Sequence, residues 1–205
     1  MKKISLLILI GLAAGLSQTA PAQKILVKSG SLAPLKNTTL IGVEYDYGNM
    51  MVGKYKEAQF LTLTTDEYNK KEPGQGDLWQ KKWVSDRAEK FQPRLEGAFN
   101  NYCAIMGVDL RLDPGVSGKK KMVFHTTFTE PGLNPGADSP RASISAEVVF
   151  YDESGAEIAK VLITDSPGSP VYKLDYDTGT RIRDAYANAG KALAGLILRD
   201  GFGKE

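Results

Sequence analysis

The sequence predicts a single α+β domain, in which a mixed, mostly antiparallel sheet of about five strands carries a long Pro-kinked helix and a C-terminal helix. Three patterns support this prediction: a strand hairpin at residues 143–164, an amphipathic helix at 77–106, and an Ala- and Gly-rich helix at 178–199. Consecutive strands flanked by separate helices are typical of the α+β class.

The hairpin is the clearest of these patterns. Apolar side chains occupy every second position from Ile144 to Phe150, which is the period of a strand with one buried face. Residues 152–155 supply turn chemistry that ends in glycine. The return strand, 156–164, ends in the apolar run Val161-Leu162-Ile163, so we expect both of its faces to be covered.

Alternating or β-favouring residues predict the other strands at 38–47, 108–112 and 120–130. Residues 23–36 are interpreted as an edge strand or an ordered tail. Residues 48–76 contain short apolar pieces and predict no regular element beyond one helical turn after Thr65 and a loop at 72–76.

The long helix at 77–106 is predicted to begin with Asp77 as its N-cap. Pro93 lacks an amide proton, so we expect a kink or a break near Gln92. The predicted core stripe keeps the helical spacing across the proline; it consists of Val84, Ala88, Phe91, Leu95, Ala98, Phe99, Tyr102 and Met106.

Trp79 and Trp83 lie one turn apart, on a ridge that is rotated away from the stripe. One interpretation is that they cover a sheet edge or a neighbouring loop, because large aromatic side chains dominate burial. The other is that they form a stacking platform for a sugar or a partner protein.

The C-terminal helix is predicted to begin at Asp177 or Thr178 and to end near Arg199. Its back carries small residues, including Gly190 and Ala194, where a charged face is usual. A mid-helix glycine costs about 1 kcal/mol relative to alanine, so we expect close approach by a loop or by another subunit. Candidate partner or ligand contacts are therefore Gly190 and Ala194, together with Tyr172 and Tyr176 in the preceding loop.

Residues 1–22 have the pattern of a secretory signal peptide: two lysines, an apolar run, and Ala20-Pro21-Ala22 before the expected cleavage site. Gln23 would follow that site in place of the cysteine that a lipid anchor requires. We therefore expect an exported protein, periplasmic or extracellular, with no integral membrane segment after cleavage. Lys2 and Lys3 account for the formal charge of +2, so the mature chain is neutral and nucleic acid is not an expected partner.

The residues that could carry catalysis are few. His125 is the single histidine and lies mid-strand, while Cys103 is the single cysteine and is expected to be buried. No zinc-ligand spacing or phosphate loop is present, so no metal or cofactor is expected and the pattern does not indicate an enzyme. A glycosidase needs two carboxylates brought together by the fold, and the sequence alone does not select them.

Several segments resemble a group of uncharacterised secreted proteins of Bacteroidetes-type bacteria. The likeness lies in residues 43–47, 68–74 and 126–132, in Trp83 with Asp86-Arg87, and in residues 175–179 with Arg181-Ile182 and Ala185-Tyr186. The order of elements is also similar, more distantly, to the α/β domain of curli-secretion-channel lipoproteins and the TolB N-terminal domain. That resemblance implies helices packed on a mixed sheet and a role in envelope assembly.

Two functional hypotheses follow. The first is a non-catalytic envelope protein that binds another protein or itself. The second is a glycan-binding protein or glycosidase that uses Trp79 and Trp83 with carboxylates from neighbouring loops. A small-molecule ligand is not indicated by any motif.

Overall fold

The fold is that of a computed structural model, which describes residues 23–117, 119–132, 141–169 and 177–204. Residues 1–22, which carry the predicted signal peptide, lie outside these ranges. The described residues form eight strands and four α-helices. The strands are β1 Lys24–Gly30, β2 Leu40–Asp46, β3 Met51–Val52, β4 Tyr55–Lys56, β5 Arg111–Asp113, β6 Lys121–Glu130, β7 Ser143–Tyr151 and β8 Glu157–Pro167. The helices are α1 Glu57–Lys71, α2 Gln75–Asp86, α3 Gln92–Ile105 and α4 Thr178–Asp200.

The strands form one mixed sheet in the order β1-β8-β7-β6-β2-β5. The pairs β1/β8, β8/β7 and β7/β6 are antiparallel, whereas β2 runs parallel to both β6 and β5. β3 continues along the same side of β6 and forms a short hairpin with β4. The α+β class and the mixed sheet are confirmed, and the hairpin β7–β8 lies inside the sheet.

The expected number of about five strands is wrong. The structure has eight strands because β1, β3 and β4 join the predicted set, and β3 and β4 have two residues each. Two residues are too few to show the alternation on which a sequence-based assignment depends. The strand predicted at 108–112 is also displaced, since β5 spans Arg111–Asp113.

The helical region differs from the prediction in number and bounds. α1 was not predicted, and the expected helix at 77–106 is two α-helices joined by a π-helical turn at Arg87–Phe91. This turn comes immediately before Pro93, whose missing amide cannot complete a regular ladder. α2 begins at Gln75 after Gly74, so Asp77 lies in the first turn and is not the N-cap.

α3 and α4 cover one face of the sheet. α4 packs on β1, β7 and β8, and α3 packs on α4 and β5. The buried side of β7 presents Ile144, Ala146 and Val148 to this layer, while Glu147 lies on the other side of the sheet. We call that second side the open face. No helix within the described ranges has the length and hydropathy needed to cross a membrane.

Candidate functional site

α1 and α2 form a helical hairpin, and α1 packs beside β3 and β4. None of the fifteen residues of α1 is buried. The two helices approach closely at Gly76, where an added Cβ would lie less than 3.0 Å from the carbonyl oxygen of Thr65. Asn69 closes the connection, because its Oδ1 accepts hydrogen bonds from the amides of Gly74 (3.1 Å) and Gly76 (2.8 Å).

An aromatic cluster holds the hairpin together; it consists of Phe60 and Tyr68 from α1 and Trp79 and Trp83 from α2. Trp79 stacks on Tyr68 with a centroid separation of 5.9 Å and contacts Phe60 edge-on at 5.7 Å. Trp83 lies 5.2 Å from Phe60 and 5.7 Å from Trp79. Such contacts add to the stabilisation from burial alone.

The two tryptophans have different roles. Trp83 is only 6% exposed, and its Nε1–H donates to Glu57 Oε1 at 2.6 Å. Glu57 also pairs with Arg87, whose guanidinium lies over the ring of Tyr47. Trp83 is therefore part of the packed base of the hairpin, while half-buried Trp79 retains a surface that a ligand could contact.

A charge cluster of Lys82, Asp86, Lys90 and Asp177 adjoins the aromatic residues. Each carboxylate contacts both ammonium groups: Asp86 lies 3.0 Å from Lys82 and from Lys90, and Asp177 lies 3.1 Å and 2.9 Å from the same two lysines. The side chain of Asp86 is 5% exposed. The cluster is neutral, and the lysines offset the cost of burying Asp86.

Asp177 also caps α4, as the sequence predicts. Its Oδ1 accepts hydrogen bonds from the amides of Gly179 (2.9 Å) and Thr180 (3.4 Å). Burial opposes ionisation of this side chain, but hydrogen bonds from Lys90 and Lys82 hold the pKa of Asp177 well below its usual range. Burial likewise opposes the charge on Lys90, yet its hydrogen bond to Asp177 holds the pKa of Lys90 above its usual value.

Glycine at position 179 lets Asp86 approach the start of α4. A Cβ at Gly179 would lie less than 3.0 Å from Asp86 Oδ2. The carboxylate of Asp86 therefore lies beside the amino end of α4. The charge cluster consequently joins α2 and the π-helical turn to the first residues of α4.

A cleft of about 320 Å³ lies between the two clusters. Tyr68, Trp79 and Trp83 provide its apolar wall, and Lys82, Asp86, Asp177, Thr178 and Gly179 provide its polar wall. A second, wider hollow of about 520 Å³ lies along the opposite side of α2, at Asp77, Gln80, Lys81, Val84 and Ser85. Apolar and paired polar groups on facing walls suit binding of an amphipathic surface or a sugar ring.

The hairpin carries four of the six exposed large apolar side chains found among the described residues. Four large apolar residues of α1 and α2 are between 41% and 60% exposed. They are Leu63, Tyr68, Leu78 and Val84. Val84 was predicted to belong to the core stripe, and its exposure shows that the stripe begins only at Phe91.

The structure brings together some of the predicted site residues. Trp79 and Trp83 share the cleft with Asp177, the carboxylate that ends the loop before α4. Gly190 and Ala194 are buried instead, and a Cβ at Gly190 would lie less than 3.0 Å from the carbonyl oxygen of Leu95 in α3. The small-residue face of α4 is thus covered by α3 of the same chain. Tyr172 and Tyr176 lie outside the described residues.

Sequence reasoning missed Tyr68, Lys82, Asp86 and Lys90 as cleft or cluster residues. The last three carry a local signal, since they alternate in charge at a spacing of four along the helical path. His125 and Cys103 lie elsewhere: His125 Nδ1 is 2.7 Å from Asp46 Oδ2 on the open face, and Cys103 is buried. Among the residues that the structure describes, no three His, Cys, Asp or Glu side chains group as a metal site.

Comparison with known proteins adds a faint likeness only. No protein-family model matches the chain, and no curated protein matches it. The chain is similar to a PelC dodecamer from Paraburkholderia phytofirmans, with 12% identity, a TM-score of 0.38, and coverage of 86% of this chain and 95% of that one. A single-substitution variant of that dodecamer gives 11% identity, a TM-score of 0.37 and the same coverage. Scores this low do not establish a common fold.

Proposed function

We propose that the protein is an exported, non-catalytic envelope protein that binds another protein, or a second copy of itself, through the α1–α2 hairpin. The observation that carries this proposal is the exposure of Leu63, Tyr68, Leu78 and Val84 on this pair of helices. Tyr68 lines the cleft and Val84 lines the hollow on the opposite side of α2, so the hairpin presents exposed apolar side chains on both sides. Exposed apolar surface marks interaction sites. Burying it on association contributes roughly 25 cal/mol per Å² of apolar area.

The charge cluster supports a binding role rather than hydrolysis. A glycosidase needs one carboxylic acid whose pKa is raised so that it can donate a proton. The pKa of Asp177 is instead held low by hydrogen bonds from Lys90 and Lys82, although burial opposes its ionisation. Asp86 contacts the same two lysines. Asp177 is therefore not suited to act as the general acid.

The proposal is tested by chemical crosslinking in the envelope of cells that produce the protein, with Leu63→Glu/Leu78→Glu compared with Ile105→Glu. Ile105 is 71% exposed at the end of α3, so its substitution places a glutamate at an exposed apolar position away from the hairpin. We expect discrete adducts for the wild type and for Ile105→Glu, and their loss in the hairpin variant. Adducts that survive the hairpin substitutions would contradict the proposal.

Light scattering after gel filtration separates the two kinds of partner. A second copy as partner would give a mass above that of the monomer, reduced to the monomer by Leu63→Glu/Leu78→Glu. A different protein as partner would leave the isolated chain monomeric while the envelope adducts persist.

Glycan binding in the cleft is a second candidate, favoured by the position of Trp79 beside Lys82 and Asp177. Aromatic faces bind the apolar faces of sugars, and the charged groups would bind hydroxyls. A polysaccharide array is the test: binding should be lost in Lys82→Gln and Trp79→Ala and retained in Val84→Gln, which alters the opposite side of α2. Release of reducing sugar would indicate hydrolysis, and absence of binding to all glycans would retire this candidate.

A further inference from the structure

β1 forms one end of the sheet and, among the described strands, pairs with β8 alone. An edge strand presents unpaired amide and carbonyl groups to any strand of suitable sequence. The ladder with β8 is regular from Lys24 to Val27 and shifts register before Ser29. β1 therefore offers a regular edge of four residues, followed by a bulge.

The open-face side of β1 combines positive charge with an apolar residue. Leu26 lies opposite Leu162, which lies opposite Glu147 on β7, so all three share the open face. Lys24 lies two residues before Leu26 on the same face, and Lys28 reaches Glu147 at 3.4 Å. Leu26 is 50% exposed between the two lysines. A wholly protective edge would not place an exposed leucine there.

The other side of β1 borders an apolar groove. Ile25 faces the helices and lines a groove of about 330 Å³ together with Tyr102 and Met106 of α3 and Gly195 and Leu196 of α4. Arg199 and Lys204 also line it. Arg199 pairs with Asp200 at 2.6 Å, and Lys204 donates to the carbonyl oxygen of Met106 at 3.2 Å. The open face of this edge therefore favours acidic side chains, and the groove favours apolar ones.

We propose that β1 accepts an added strand from a partner protein whose residues alternate between acidic and apolar. The backbone groups of Lys24–Val27 would supply the hydrogen bonds, the two lysines would select acidic residues, and the groove would receive apolar side chains. Pairing with a second copy is disfavoured, because an antiparallel arrangement centred on Leu26 places the lysines of one copy opposite those of the other. The site lies on β1 and is independent of the hairpin that carries the proposed function.

The test uses three labelled nine-residue peptides and fluorescence anisotropy with the full chain. The first, GVEVLVEVG, matches the edge; the second, GVKVLVKVG, reverses its charge; the third, GVEPLPEVG, keeps the acids but removes two backbone donors. We expect binding of the first peptide only. The proposal would be overturned if the proline peptide bound as strongly as the first peptide, or if no peptide bound. Binding of no peptide would mean that the lysines protect the edge from strand addition.

Charge reversal gives the sharper comparison. In Lys24→Glu/Lys28→Glu we expect about tenfold weaker binding of the acidic peptide and a preference for the lysine peptide, since two cross-strand charge pairs change sign. The control, Lys70→Glu/Lys81→Glu, changes the same charge on the hairpin and should leave binding unaltered. Equal loss in both variants would contradict a local charge match.

The groove is tested by Gly195→Leu, with Gly97→Leu as the control. A Cβ at Gly195 meets the Tyr102 ring at ordinary contact distance, 3.7 Å, and Gly97 has no neighbour within 4 Å. Leucine at 195 should fill the groove and weaken peptide binding severalfold, whereas leucine at 97 should not. Unchanged affinity in Gly195→Leu would overturn the role of the groove. Lysine-dependent binding of phosphatidylglycerol vesicles without peptide binding would assign the edge to a lipid surface and overturn the proposal.

Discussion

Replacing Gly190 by alanine introduces a methyl group where α4 touches the backbone of α3. The added Cβ would lie less than 3.0 Å from the carbonyl oxygen of Leu95 and 3.2 Å from its Cα. Overpacking typically costs about 1–3 kcal/mol in protein cores. We expect a cost near the upper end of this range, about 3 kcal/mol, because backbone atoms cannot rotate away from the added methyl group as a side chain could. The helical preference for alanine returns about 1 kcal/mol. The expected net loss in the free energy of unfolding is therefore about 2 kcal/mol.

Urea unfolding followed by tryptophan fluorescence measures this loss, and thermal unfolding should show a decrease in Tm of about 6 °C for a chain of this size. Gly195→Ala is the matched control on the same helix, because its Cβ would make ordinary contact with Tyr102 at 3.7 Å. It should gain up to about 1 kcal/mol from helical preference. If Gly190→Ala proved as stable as Gly195→Ala, the close packing of α3 on α4 would be refuted.

Three further predictions concern single groups. Lys90 helps hold the pKa of Asp177 in the folded protein below the ordinary value of 3.8. The Asp177 carboxylate therefore contributes fully to the free energy of unfolding above about pH 4, and this contribution is lost on acidification. The stability difference between wild type and Asp177→Asn in urea titrations should shrink as pH falls, and a constant difference would contradict the pairing. Tyr186→Phe removes a buried 2.7 Å hydrogen bond to Thr126 and should lower the free energy of unfolding by about 1–2 kcal/mol. The same substitution in the Thr126→Val background should cost much less, and additive losses would show that the two hydroxyls do not interact. Burial raises the pKa of the Cys103 thiol to about 11, so it should react with a thiol reagent at pH 8 only after unfolding, and rapid labelling of the folded protein would contradict its burial.

The parts of the fold that the sequence predicts are those encoded by local spacing. The alternation from Ile144 to Phe150 and the turn before Ala156 identify β7 and β8, because a strand with one buried face has a period of two. The acidic cap at Asp177 and the apolar stripe after it identify α4. These patterns need no knowledge of distant residues.

The α1–α2 hairpin could not be predicted in the same way. α1 buries no residue of its own, so it lacks the apolar stripe by which an amphipathic helix is found. Its contacts with α2 depend on the close approach at Gly76 and on stacking between Tyr68 and Trp79. In the charge cluster, the lysines and Asp86 are four residues apart along the chain, whereas Asp177 is far away in sequence. Local spacing therefore cannot predict that Asp177 joins them.

The central claim is that the α1–α2 hairpin is the interaction surface, and photo-crosslinking from single positions tests it most directly. A photoreactive residue placed at Leu63 or Leu78, both exposed on the hairpin, would report contacts within a few ångströms in the intact envelope. The same residue at Ile105 reports a still more exposed apolar site elsewhere. The account predicts discrete adducts from the two hairpin positions and none from Ile105. Adducts from Ile105 alone, or uncrosslinked monomer from all three positions, would contradict it.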